Sequence, residues 1–302
     1  MRVEAVYTLT APLSHIGKAS SNGTLFQKIT TGDGLLPIVT ANSIRGKLRD
    51  CGALYMLNTL DCTVNKNVFD VLFSGGNIAE TMKTDIGRIK EIKKWFPFVN
   101  LFGGAIWDVI LQGGLTLTNA EPQCVETGDF TGVSWRDLIG EIEYTRTDDK
   151  KNHEYFGLLS ETEAAETSSK ASQQMRYSVQ YLTQGAKLKQ HITIKDDLLG
   201  VFLSCLDEWG KAPLLGGMSN KGFGSFDAKF IFTSGDMAEI SNGNLKLSDN
   251  LYETLVIYRE FLTTNKDTII NNLKLLDIQK SKENKKNAKI NNSSSEDNSF
   301  DE

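Results

Sequence analysis

"LLPIVTANSIRGKLRD", Leu35 to Asp50, joins a proline, a run of small polar residues and three basic side chains. Proline is tolerated where a chain approaches a helix but not inside one, and Asn and Ser side chains accept the free N–H groups of a first turn. The stretch therefore predicts a helix entered through Pro37 to Val39, capped by Asn42 or Ser43 and running to about Asn58. Ile44, Leu48, Cys51, Leu54 and Tyr55 fall on one side of it, as a core-facing stripe would. Arg45 and Arg49 lie one turn apart on one edge, and Gly46 removes bulk so that another backbone could come close. Added to the free amides and positive dipole end of a helix start, these residues make a competent phosphate site. The competing reading is an amphipathic helix whose arginines are solvated flanks and whose Lys47 snorkels.

Before this helix, residues 1–10 alternate like a strand, with Val3, Ala5, Tyr7 and Leu9 on one face. "PLSHIGKASSNGTLFQKITTGDGL" reads as a long loop with room for a short hairpin. After it come a helix near Asp85–Trp95, the glycine-broken apolar segment "FPFVNLFGGAIWD", and "GGLTLTNAEPQC" as a second long strand. Residues 141–180 form a polar insertion flanked by two alternating segments, Glu141–Thr145 and Met175–Leu182, read as a protruding hairpin-like arm or an unstructured loop. A strand (Lys187–Ile194), a helix (Asp197–Trp209), a glycine-rich loop running into a strand, a helix carrying Leu251, Leu255, Tyr258 and Leu262, and another to Leu276 complete the order. The tail "KSKENKKNAKINNSSSEDNSFDE" has too few apolar residues to fold and is expected to be disordered. Strands and helices interleave without a regular alternation, which predicts an α+β fold with a β-α-β core carrying insertions.

The 302 residues are 40% hydrophobic and 24% charged, ordinary globular values, with a net charge of -5. The charge is uneven: residues 1–50 hold six basic and three acidic side chains, whereas residues 51–150 hold nine basic and fourteen acidic. A basic patch on an acidic body suits a protein that grips a polyanion on one side. No stretch of 18 apolar residues predicts a membrane span, and four scattered cysteines without a C-x-x-C pair suggest reduced thiols in a cytoplasm rather than a zinc site.

Catalytic machinery is sparse. "LLGGMSNKGFGSF", Leu214 to Phe226, can cradle phosphates with its amides but is neither a Walker loop nor a dinucleotide fingerprint, and a tight structural turn is the alternative. His15 in "SHIGKASSNG" could act as a general base in RNA cleavage, although a lone loop histidine more often bonds locally. His153 and His191 lack partners at metal-ligand spacing, and Asp148-Asp149 could hold Mg²⁺ but reads more simply as a solvated loop tip. No metal or cofactor is expected.

Taken in order, "LTAPLSHIGKASSNG", "LPIVTANSIRGKLRD", "NLFGG", "VQYLTQGAKLKQHITI" and "LLGGMSNKGFGSF" resemble the RAMP superfamily of CRISPR-associated proteins over roughly residues 1–235. More narrowly the chain resembles the guide-RNA-binding backbone subunit, the Cas-seven group, with a leaning toward type IV systems. The resemblance implies a ferredoxin-like (RRM-type) palm with inserted finger segments, a projecting thumb hairpin and C-terminal helices. It divides the chain into palm (1–60), finger or helical insertion (61–110), palm strand region (111–140), thumb (141–180), second palm part with the glycine-rich loop (181–235), C-terminal helices (236–278) and tail (279–302). It implies RNA contacts from His15, Lys18, Asn22, Ser43, Arg45, Lys47, Arg49, Gly217, Ser219, Asn220 and Lys221, with Arg146, Met175 and Arg176 at the base of the thumb. The implied partners are guide RNA (crRNA), a DNA or RNA target paired to it, further copies stacked head to tail, and other effector subunits. Target-cutting relatives use an aspartate between the first strand and first helix. Here only Asp33 stands there, late in the loop, so the chain is expected to be non-catalytic. The rivals are a guide-processing endoribonuclease with His15 as base and a target-cleaving subunit using Asp33. Charge reversal at Arg45 and Arg49 is expected to weaken RNA binding and leave the fold intact.

Overall fold

The computed structural model describes residues 1–20, 23–32, 34–76, 78, 85–106, 108–128, 132–146 and 175–277. In chain order the strands are β1 (Arg2–Leu9), β2 (Ile16–Ser20), β3 (Gly23–Phe26), β4 (Lys28–Thr31), β5 (Gly34–Pro37), β6 (Gly104–Ile106), β7 (Val109–Leu111), β8 (Leu115–Leu117), β9 (Glu121–Pro122), β10 (Ile139–Arg146), β11 (Met175–Leu182), β12 (Lys187–Ile194), β13 (Phe226–Phe232), β14 (Met237–Ser241) and β15 (Asn244–Leu247). The helices are α1 (Ala41–Leu60), α2 (Lys66–Phe69), α3 (Ile86–Trp95), α4 (Pro97–Phe102), α5 (Leu199–Lys211), α6 (Asp249–Thr264) and α7 (Lys266–Asn272).

The alternation in β1 does what its period requires: Val3, Ala5, Tyr7 and Leu9 are buried and the residues between them face outward. β1 lies between β12 and β13, antiparallel to both, with Val3 opposite Ile192 and Phe232. β8 and β9 pair with β12, and the hairpin β14–β15 extends the other side, so the main sheet runs β15-β14-β13-β1-β12-β8. The fold is mixed α+β. α1 connects β1 toward β8, α5 connects β12 to β13, and the two helices pack against each other. They meet closely at Gly52, where an added Cβ would stand 2.6 Å from Cys205 Sγ. Tyr7 is sealed between Trp209, Phe226 and Phe230, its hydroxyl donating to Gln190 at 2.8 Å and Gln190 donating onward to the Thr118 carbonyl.

The opposite face of the main sheet is open. Glu4, Val6 and Thr8 of β1 and Lys187, Lys189, His191 and Thr193 of β12 point there, with Lys189 bonded to Glu4 at 2.9 Å. No Phe, Tyr or Trp stands among these positions. A smaller sheet, β10-β11-β3-β2, stands beside the main one. β10 and β11 pair without a break from Ile139–Leu182 to Arg146–Met175, and β3 joins β11 in parallel.

Several expectations need correction. α1 starts earlier than predicted, with Thr40 rather than Asn42 or Ser43 as cap, because Pro37 belongs to β5. Leu54 is 42% exposed, and a Cβ on Gly46 would meet nothing within 4 Å, so no backbone approaches there. The single long strand expected in "GGLTLTNAEPQC" is two short ones, broken where Ala120 pairs with Val39 and Asn119 turns to bond the start of α1. The helix expected from Asp197 begins as a 3₁₀ turn, Asp196–Leu198. Within 236–278, assigned to helices, residues 237–247 form the β14–β15 hairpin, whose turn residues Asn242 and Gly243 both have positive φ. The body of the arm, 147–174, and the tail, 278–302, lie outside the described residues, as do Asn22, Asp33, Asp148, Asp149 and His153.

Candidate nucleic-acid interface

The start of α1 is closed by the protein itself. Thr40 Oγ1 accepts the Ser43 amide at 3.3 Å, and Asn119 Oδ1 accepts the Ala41 amide at 2.9 Å. His15 Nε2 accepts the Thr40 amide at 3.2 Å and lies 3.3 Å from Thr40 Oγ1. Burial pushes the imidazole below its ordinary pKa, which favours the neutral ring that can accept this bond. His15, expected as an RNA contact or a base, therefore works as part of the helix cap.

The two arginines turn inward as well. Arg45 donates to the Leu115 carbonyl at 2.8 Å and the Phe102 carbonyl at 2.5 Å. Arg49, only 9% exposed, donates to Phe102 and Gly103 at 3.0 Å each and to Val71 at 3.4 Å, and its guanidinium lies 5.4 Å from the Phe102 ring centroid. Burial, with Arg45 beside it and Asp50 opposing, lowers its pKa to about 10, so it remains cationic at neutral pH. "NLFGG" is thus the acceptor for "SIRGKLR": α4 ends at Phe102, and its terminal carbonyls, free of helical partners, receive both guanidinium forks. Arg49 is therefore buried and bonded to backbone, Arg45 is half-buried and bonded likewise, and reversing both charges would set carboxylates against those carbonyls. Ser43 and Lys47 remain half-buried on the same helix, and Lys18 is exposed on β2.

The glycine-rich loop is open. Ser219, Asn220 and Lys221 form an exposed 3₁₀ turn. Gly216, Met218, Gly222 and Gly224 all have positive φ. At Gly216 a Cβ would stand 2.2 Å from the Ser14 carbonyl, so glycine is required there. Gly217 donates its amide to Ser14 at 2.7 Å and Gly224 donates to Pro12 at 2.7 Å, which pins the loop on the β1–β2 connection. The amides of Met218, Ser219 and Asn220 make no hydrogen bond among the described residues, leaving three successive donors at an exposed turn.

This loop leans on the base of the β10–β11 ribbon. Lys221 Nζ donates to the Tyr177 hydroxyl at 2.5 Å and lies 4.6 Å and 5.1 Å from the ring centroids of Tyr144 and Tyr177. Those rings stack at 5.3 Å, and Phe223 of the loop meets Tyr181 edge-on at 5.9 Å. Arg176 is exposed on the other face of the ribbon, and Arg146 pairs with Met175 at its last described rung. The β1–β2 connection, the cap of α1, the glycine-rich loop and the ribbon base therefore adjoin one another through Ser14–Gly217, His15–Thr40, Leu13–Leu182 and Lys221–Tyr177. Tyr144, Tyr177 and Tyr181 escaped the sequence reading, although alternation in the two flanking segments puts all three on one ribbon face. Among the described residues, no three His, Cys, Asp or Glu side chains gather as a metal site, and no helix is long and apolar enough to cross a membrane.

No family model and no curated protein matches the chain. Among solved structures it is similar to a chain described as "Type IV-B CRISPR Complex", at 16% identity, over 78% of this chain and 92% of that one, with a TM-score of 0.56. The likeness is one of fold.

Proposed function

We propose that this chain is a guide-RNA-binding backbone subunit of a CRISPR effector complex, a binding and assembly protein of the cytoplasm rather than an enzyme. The observation that carries the reading is the exposed turn Met218–Lys221, with three unbonded amides and a lysine ammonium beside stacked tyrosines. Such a turn offers donors to phosphate oxygens and reads no base, which suits a protein that leaves sequence recognition to pairing between guide and target. The strand order β13-β1-β12-β8 supports a ferredoxin-like palm, because an antiparallel sheet with helices α1 and α5 as crossovers is the split β-α-β arrangement. The fold shared with a chain of a type IV-B complex supports membership of such an assembly, with copies stacked head to tail beside other subunits. In this reading Lys18, Ser43, Lys47, Gly217, Ser219, Asn220 and Lys221 line the guide path, and the ribbon of β10 and β11 is the base of a thumb. The open sheet face is not the base platform of an ordinary RRM, since it lacks rings for stacking. A nuclease using His15 is disfavoured because the ring nitrogen it would need already accepts the Thr40 amide.

The test is expression with and without a CRISPR array, followed by particle mass and identification of any bound nucleic acid. Array-derived RNA of uniform length in a large particle is expected. A monomer free of RNA in both hosts, which also fails to bind synthetic repeat RNA, would refute the reading.

A further inference from the structure

Beside the β4–β5 hairpin, the half-buried ring of Trp135 carries two cations: Lys28 Nζ lies 4.9 Å and the Arg136 guanidinium 5.1 Å from its centroid. Among the described residues Lys28 has no ion pair and the indole N–H of Trp135 has no acceptor. Arg136 has a largely exposed side chain and reaches only Glu126, at 3.7 Å. That carboxylate is already occupied, accepting the Ser134 hydroxyl at 2.5 Å and the Trp135 amide at 3.1 Å. Ser134 in turn caps the 3₁₀ turn Trp135–Leu138 by accepting the Arg136 amide at 3.3 Å. The ring packs on a small apolar cluster of Leu36, Ile38 and Cys124, joined by Ile29 and Leu138. Backbone and packing thus hold the indole in place, while its N–H and two cations are left without protein acceptors to match them. Covering the cluster explains the half-burial of the ring but not a lysine without a counter-charge upon it.

The place adjoins the cap of α1. Gln27, the neighbour of Lys28, donates its amide to the His15 carbonyl at 2.8 Å and accepts the Ile38 amide at 3.0 Å. We propose that Trp135 is a stacking platform for a base of a single-stranded nucleic acid, with Lys28 and Arg136 taking the adjacent phosphates. A ring for the base and cations for the backbone is the combination by which proteins hold single strands, and every base has a face to offer. A base arriving on the indole takes the place of the Lys28 ammonium, which swings on its flexible stem toward phosphate. The indole N–H remains as a donor to a base or sugar oxygen. Lys221 over Tyr144 and Tyr177 is a second ring-bound lysine without an ion pair, which favours the same class of partner over an acidic protein. The platform goes beyond the guide-binding reading and does not rest on it.

The test is fluorescence anisotropy of a labelled oligouridine, and of an abasic ribose-phosphate strand of equal length, against the full-length chain over a salt series. Trp135→Leu should bind oligouridine about tenfold more weakly with an unchanged salt slope, because stacking releases no counterions, and should bind the abasic strand as the wild type does. Lys28→Gln should shallow the slope of log K against log salt by about 0.7 on both strands, as the loss of a phosphate contact does. Oligouridine should also quench tryptophan emission more in the wild type than in Trp135→Phe, which keeps a ring; should Trp135→Leu fail to melt as a folded protein, this difference decides. Equal quenching in the two, wild-type affinity in a folded Trp135→Leu, or an equal loss on the abasic strand would overturn the proposal. So would a wild-type chain that ignores both strands, including one whose Trp135 emission answers polyglutamate instead, since the partner would then be an acidic protein. Lys221→Met run alongside separates the two readings: binding that depends on Lys221 but not Trp135 refutes only the platform, and the reverse refutes only the role of the glycine-rich loop.

Discussion

Two junctions of this molecule bring cations against backbone, glycine and aromatic rings, and they are built to opposite ends. At the first, Arg45 and Arg49 of α1 enter the end of α4 and give their donors to the carbonyls of Phe102, Gly103, Leu115 and Val71. At the second, Lys221 rests on the outside of Tyr144 and Tyr177 while three amides of its loop stay unbonded. Arginine, with five donors in a planar fork, can be buried when several carbonyls converge on it; lysine, strongly hydrated and with three donors, stays at the edge. The same positive charge thus holds the fold in one place and is left for a partner in the other. Basic residues near a helix start do not by themselves mark a ligand site: the count of acceptors already around them does.

The contrast makes its largest claim at Arg49. Arg49→Met keeps much of the aliphatic bulk but leaves the buried Gly103 carbonyl without its guanidinium donor and the Phe102 carbonyl with Arg45 alone. Unfolding in urea should show a loss of about 2–4 kcal/mol, the range for buried polar groups stripped of a partner. A variant as stable as the wild type that has lost only RNA affinity would show that Arg49 serves a ligand after all.

At the other junction the effect should fall on binding and not on stability. Lys221→Met is expected to weaken affinity for a repeat-derived RNA about tenfold and to shallow its salt dependence. Its melting temperature should stay within about 2 °C of wild type, as surface substitutions of small stability effect do. Tyr177→Phe removes the hydroxyl that Lys221 bonds but keeps the ring beneath it, so its affinity should stay within about twofold. A Lys221→Met protein destabilised as much as Arg49→Met would erase the distinction between the two junctions.

How far this could be read beforehand follows the range of the interactions. The alternation of β1, the paired alternating segments that became β10 and β11, and the stripe Leu251, Leu255, Tyr258 and Leu262 on α6 are local patterns, and each appears where expected. The hairpin β14–β15 was also written locally, in Asn242-Gly243, but was hidden by the apolar helical pattern that follows. The inward turn of the arginines was not legible because the acceptors Phe102, Gly103 and Leu115 stand more than fifty residues downstream, two of them at the end of a helix whose free carbonyls no local pattern assigns. The glycine-rich loop was singled out correctly as a loop of special backbone, but not its tyrosine neighbours, which arrive from strands some forty to eighty residues upstream.

The smallest effect tests the cap that closes the start of α1. His15 is held neutral by burial, so its pKa in the folded chain is below that of the unfolded chain, about 6.5. Where the unfolded state binds the proton more readily, stability rises with pH. The contribution of His15 is therefore complete above the unfolded value and is lost as pH falls through that value toward the lower folded one. His15→Asn can still present an acceptor near the Thr40 amide but cannot titrate, and it should cost about 1 kcal/mol at pH 8, the usual worth of a cap. Measured by urea unfolding at a series of pH values, the gap between wild type and variant should close steadily on acidification below pH 7. The side chains of Glu126 and Asp236, whose pKa values are lowered in the fold, are common to both proteins and cancel in the difference. A gap of constant size from pH 8 to pH 5 would mean that the ring does not accept from Thr40 in its neutral form, and the catalytic reading of His15 would regain its footing.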